Sequence, residues 1–116
     1  MDCTIKNEYG TISVTDQVLA VIAGVSAVDC YGIVAMAAKR ATDGIVELLG
    51  LDNITRGVKV KIADNQVTVD LFIIVEYGVS IAAVAKSAIQ TVKYNLETLT
   101  GMPVSSVNVT VEGIRV

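Results

Sequence analysis

The chain has 116 residues, 53% of them hydrophobic and 18% charged, with a formal net charge of −3 and no histidine. This length suits one domain, and a globule of this size buries roughly two-thirds of the surface its unfolded chain exposes, so a core can form without disulfide or metal staples. The composition argues against disorder and coiled coil, the acidic balance against a phosphate-tracking surface, and the missing imidazole removes the commonest general base and metal ligand.

Residues 1–9 are polar and read as a flexible N-terminus, leaving 10–116 as the single domain. "GTISVT" then alternates Ile12 and Val14 against Thr11 and Ser13, the period of a half-buried strand. Thr15 or Asp16 can cap a following helix, in which Val18, Leu19, Ile22 and Val25 fall at helical spacing on one side. Ala20, Ala23, Gly24 and Ala27 are small, so a neighbour can approach this helix closely. The helix is expected to end between Asp29 and Gly32, with "IVAMA" returning as a strand. The apolar run Val18 to Ala38 is long enough to cross a bilayer, but Asp29 and the turn-like "DCYG" split it into a helix and a short strand. No direct membrane span is expected.

Residues 39–56 are the least readable, although "TDGIVELLG" can form a short helix capped by Thr42 and closed by Gly50, a reading weakened by Gly44. The clearest hairpin follows: "GVKVKIA", Asp64-Asn65, "QVTVDLFIIVE". A two-residue turn pairs Ile62 with Val67, Val60 with Val69 and Val58 with Leu71, and sets Lys59 opposite Asp70 and Lys61 opposite Thr68 on the other face. Type I′ geometry requires positive φ at both turn residues, so Asn65→Gly is expected to be neutral or stabilising. The same register turns Phe72 and Ile74 away from the core that Val69, Leu71, Ile73 and Val75 fill. These two residues are the candidate interaction surface; the competing reading is that the 39–56 segment covers them.

Ser80 can cap a second helix whose stripe runs through Ile81, Val84, Ala85, Ala88, Ile89, Val92, Leu96 and Leu99. Gly101 fits a left-handed cap, and Pro103 forbids continuation. Val107, Val109 and Val111 then alternate against Asn108, Thr110 and Glu112 as a last strand, expected to lie parallel to the second hairpin strand through a right-handed crossover. The pattern predicts an α+β two-layer sandwich, with a mixed β-sheet and two main helices packed on one face.

Cys3 and Cys30 lack CxxC spacing, and no leader pattern precedes the first strand, so a cytoplasmic location is expected. There the sequons Asn53-Ile54-Thr55 and Asn108-Val109-Thr110 meet no glycosylation machinery, and Asn108 reads as the polar face of a strand. No Walker loop, GxGxxG, G-x-S-x-G or paired-cysteine motif occurs. Without a histidine to activate it, Cys30 reads as a small hydrophobe. No catalytic, cofactor-binding or metal-ligating residues are assigned, no cofactor is expected, and the protein is read as not an enzyme. Nucleic acid is not an expected partner.

The pieces "GTISVT", "VLAVIAGVSAV", Gly32-Ile33, "GVKVKIADNQVTVDLFIIVEYG", "LTGMPV" and "VNVTVEGI" occur in an order and spacing that resembles the alkaline shock protein family of Gram-positive bacteria, in its short YloU-like branch. The resemblance spans about residues 10 to 114. It implies a non-enzymatic cytoplasmic interaction or structural protein, self-associating and linked to cell-envelope homeostasis or stress response, reaching the membrane through an anchoring partner. It also implies an alternative, a small apolar-ligand or acyl-group binding accessory to a fatty-acid kinase, for which the Ala- and Gly-rich first helix offers a groove. The family carries over no catalytic motif.

Overall fold

The computed structural model describes residues 2–37 and 55–116. The elements in chain order are β1 (Asp2–Asn7), β2 (Gly10–Thr15), α1 (Asp16–Val28), β3 (Ile33–Met36), β4 (Val58–Ala63), β5 (Gln66–Glu76), α2 (Ile81–Thr100) and β6 (Val104–Arg115). The helix expected from "TDGIVELLG" and the sequon at Asn53 lie outside the described residues.

Residues 2–7, expected to be frayed, form β1, which pairs antiparallel with β2 from Asp2↔Thr15 to Asn7↔Gly10. Two side-chain amides explain the order. Asn7 Oδ1 accepts from the amides of Tyr9 at 2.7 Å and Gly10 at 3.0 Å, which closes the turn. Asn65 Oδ1 accepts from the Thr4 amide at 3.1 Å, while Asn65 Nδ2 donates to the Thr4 carbonyl at 2.7 Å. Asn65 thus gives Thr4 the donor and acceptor that a neighbouring strand would supply, tying the β1–β2 arm to the body.

α1 starts where the sequence places it: Thr15 Oγ1 accepts from the Val18 amide at 3.3 Å, and Asp16 lies in the positive first turn. Its buried face is not the expected one. Leu19, Ala20, Ala23, Gly24, Ser26 and Ala27 are buried, whereas Val18 and Val25 are 46% and 45% exposed. The competing stripe of small residues wins because small side chains let the helix backbone approach the sheet and α2 closely, and a helix can turn only one face inward.

The β4–β5 hairpin has the predicted register throughout, Val58↔Leu71, Lys59↔Asp70, Val60↔Val69, Lys61↔Thr68 and Ile62↔Val67. Asp64 and Asn65 both hold positive φ, 52° and 60°, as a type I′ turn demands. β5 is the central strand. Its Gln66–Leu71 half pairs with β4, its Ile73–Val75 part with β3, and Val67–Glu76 pairs in parallel with β6, so β3 and β4 share one side of β5 and β6 has the other. At the junction, Phe72 donates its amide to the Gly57 carbonyl and accepts at its own carbonyl from the Ala37 amide, both at 2.8 Å. Gly57 is required by this crowding: a Cβ there would lie 2.8 Å from the Phe72 carbonyl oxygen and 2.9 Å from the Ala37 carbonyl oxygen.

α2 is the crossover between β5 and β6. Ser80 Oγ accepts from the Ala83 amide at 3.3 Å, and Gly101 closes the helix at φ 76° with its amide on the Glu97 carbonyl. A Glu97 carboxylate oxygen accepts from the Val104 amide at 3.1 Å, which fixes the chain's direction into β6. Both helices lie on the sheet face formed by Val67, Val69, Leu71, Ile73 and Val75, all fully buried, and supply Leu19, Ala23 and Ala27 from α1 and Ala88, Val92 and Leu96 from α2. Each large side chain so buried contributes about 1.5–3 kcal/mol. The fold is a mixed α+β sandwich of two layers, with a two-stranded arm.

Candidate functional surfaces

Period-two alternation in β5 sends Thr68, Asp70, Phe72 and Ile74 to the face turned away from the helices. One end of this outer face is polar. Thr68 and Ser105 hydroxyls share a hydrogen bond at 3.0 Å, Asn108 Nδ2 donates to Asp70 Oδ1 at 2.8 Å, and Lys59 and Lys61 stand opposite Asp70 and Thr68 in the register. Asn108 is therefore a structural polar partner on the strand face to which the sequence assigns it. Towards the other end the face becomes apolar: Phe72 is in register with Thr110, and Ile74 with Gly113 and Ala35. Both candidate residues are half-buried. The 39–54 part of the segment weighed as their cover lies outside the described residues.

The second surface is a groove on the helix layer beside α1, which the sequence reading expected along the small residues of that helix and which is lined by other residues. Val21, Ile22, Val25 and Ser26 of α1, with Asp29, face Asn95 and Leu99 of α2 across an open groove of about 290 Å³. Leu99 is 70% exposed, although helical spacing places it on the apolar stripe. Asn95 Nδ2 donates to Ser26 Oγ at 2.8 Å; Ser26 is 5% exposed, so this bond links the helices through an almost buried hydroxyl. The groove has apolar walls, one internally satisfied polar pair and a carboxylate at Asp29. Its volume is near the lower limit for small-molecule sites, about 300 Å³, enough for an apolar side chain or a short acyl segment. The signal that could have revealed it is the spacing of Ala20, Ala23, Gly24 and Ala27, which fits an inward stripe and so turns Val18 and Val25 outward and leaves Ile22 at its margin.

A smaller, more polar cavity of about 190 Å³ lies between Asp16, Gln17 and Ala20 of α1 and Thr55, Val58 and Val60. Cys30 is partly buried and its thiol donates to the Ser26 carbonyl at 3.5 Å. Among the described residues no three of Cys, Asp and Glu gather as a cation site. No described helix is long and apolar enough to cross a membrane.

The fold and its surfaces define a small α+β protein that presents an apolar-ended sheet face and a helix-layer groove. Residues 4–116 match the alkaline shock protein family, described as having a cell envelope-related function, and the chain belongs to that family. It is 43% identical to the uncharacterised protein YloU of Bacillus subtilis strain 168, an alignment covering all of this chain and 98% of that relative. It is also 38% identical to the uncharacterised protein Spy1614 of Streptococcus pyogenes serotype M6, over all of this chain and 97% of the other. With YqhY of B. subtilis, also uncharacterised, identity is 35% over 91% of this chain and 78% of the relative. No solved structure matches the chain. The family resemblance drawn from the sequence pieces is thus upheld across almost the whole chain, and none of these relatives points to an enzymatic family.

Proposed function

We propose that this chain is a non-enzymatic interaction protein of cell-envelope homeostasis, acting from the cytoplasm by self-association and by docking on a membrane-associated partner. The supporting observation is the apolar end of the outer sheet face. Phe72 and Ile74 are on the side of β5 opposite both helices, beside a polar network of Asp70, Asn108, Thr68 and Ser105. Such a patch, apolar within a polar rim, has the character of a protein contact surface. The family's envelope-related function favours the same reading. Phe72→Ser with Ile74→Thr is expected to weaken assembly or capture of the membrane-associated partner while the monomer stays folded. Sedimentation alongside a denaturant melt measures both, and a variant that unfolds more easily with assembly unchanged would refute this surface.

One observation favours the second reading, an apolar-ligand or acyl-binding accessory to a fatty-acid kinase: the groove between α1 and α2. The small residues of α1 are packed inward rather than lining it, so such a ligand would lie against Val21, Ile22, Val25 and Leu99 instead. Native mass spectrometry separates the readings by showing either higher oligomers or a co-purified lipid.

A further inference from the structure

We infer that the open edge of β6 is a two-fold pairing site for a second copy of this chain, through an antiparallel strand pair centred on Val109. The inference deepens the self-association reading by assigning it a backbone surface distinct from Phe72 and Ile74. β6 runs from Val104 to Arg115 and, among the described residues, pairs only with β5.

The hydrogen-bond phase of β6 follows from the ladder. Phe72 directs its amide and carbonyl to Gly57 and Ala37, so its neighbours in alternation, Val69, Leu71 and Ile73, direct theirs to β6. Val67 and Tyr77 follow that alternation, donating to the carbonyls of Pro103 and Arg115. In a parallel ladder the residue in register with such a β5 residue turns its own amide and carbonyl away. Those residues are Val107, Val109 and Val111, in register with Val69, Leu71 and Ile73. The open edge therefore offers the backbone groups of three valines at alternate positions.

In the main sheet and on β1 the other free edges are guarded, while β2 is a six-residue strand of the separate two-stranded arm. β4 carries Lys59 and Lys61, β3 has four residues and an irregular register, and the outward groups of Thr4 on β1 are taken by Asn65. Lysines, short length and irregularity are the usual protections against edge pairing. From Val104 to Val111 β6 has no charge and no proline, and it is regular between its bulges near Ser105 and Glu112.

A dyad through Val109 sets Val109 opposite Val109, Val107 opposite Val111, and Asn108 opposite Thr110. All of these matches are same-face pairs, with apolar residues meeting apolar on the core side and polar meeting polar outside. Each outward valine pair exchanges both of its backbone hydrogen bonds. Glu112 falls opposite uncharged Ser106, so no like charges are opposed. Val109 and Val111 are only half-buried and Ile114 is 49% exposed, so the core side of β6 has apolar surface left for a second copy to cover. Self-complementarity about one axis is what an isologous dimer requires.

The test uses the exposed positions Asn108 and Thr110 in the full chain, with sedimentation across a concentration series. Asn108→Lys with Thr110→Lys sets lysine opposite lysine at two symmetric places, and association is expected to weaken about tenfold. Asn108→Lys with Thr110→Glu sets lysine opposite glutamate and is expected to restore it to within about threefold of wild type. Circular dichroism melts check that both variants fold. As an independent readout, the amides of Val107, Val109 and Val111 should exchange more slowly as concentration rises. A wild-type chain that stays monomeric overturns the inference, as does equal association of the two variants. If association persists in both but is lost in Phe72→Ser with Ile74→Thr, the β6 edge fails and the outer-face reading stands. If the lysine pair dissociates and the outer-face variant does not, self-association belongs to β6 alone.

Discussion

Replacing Asn65 by glycine tests how far turn geometry alone predicts stability. At φ 60° the residue sits in the left-handed region, where glycine is unstrained, so a local account expects a gain. That gain is at most about 1 kcal/mol and smaller for asparagine, which tolerates the region better than other side chains. A glycine also adds freedom to the unfolded chain, costing about 0.4–1 kcal/mol. Against this stand the two bonds from the Asn65 amide to Thr4, at 3.1 and 2.7 Å, each contributing about 0.5–1.5 kcal/mol. Both are exposed, so the lower part of that range applies. The sum is a net loss of about 1 kcal/mol, reversing the expectation drawn from the turn alone. The loss falls first on the β1–β2 arm. Amide exchange at Thr4 is expected to accelerate several-fold, and a urea melt reads how much of the change couples to the whole domain. Asn65→Asp keeps the Oδ1 acceptor but lacks the donor, and is expected to weaken the same contact. A glycine variant that melts at or above wild type, with Thr4 exchange unchanged, would refute the reasoning.

Two further substitutions probe the packing. Gly57→Ala drives a Cβ against the carbonyls of Phe72 and Ala37, both fixed in the ladder, so a loss of about 1–3 kcal/mol in a denaturant melt is expected; a loss below the error of the melt would show that β3 and β4 can separate at no cost. Ser26→Ala removes the hydroxyl that Asn95 uses between the helices, with an expected loss of about 0.5–1.5 kcal/mol. In a double-mutant cycle with Asn95→Ala the two losses should not add, and additivity would show that the bond contributes nothing.

The sequence by itself determined the elements whose signals are local. Apolar residues at alternate positions on both sides of Asp64-Asn65 admit one hairpin register that buries them all, and the Lys59–Asp70 pairing agrees with it, so β4 and β5 were legible residue by residue. The caps at Thr15, Ser80 and Gly101 act within a few residues of themselves and were equally readable. The outward placement of Phe72 and Ile74 follows from period two once the register is known. Tertiary structure decided what depends on distant partners. β1 is ordered because the Asn65 side chain, remote in sequence, supplies what Thr4 lacks on its outer edge. α1 carried two apolar stripes, and only the sheet and α2 selected the small-residue one, because close backbone approach buries more than the branched side chains could. That choice turned Val25 outward and, with Leu99, opened the groove on the helix layer. The meeting of β3 and β4 end to end on β5 was likewise invisible, since it is fixed by Phe72 bonding to both Gly57 and Ala37, a junction that no local pattern encodes.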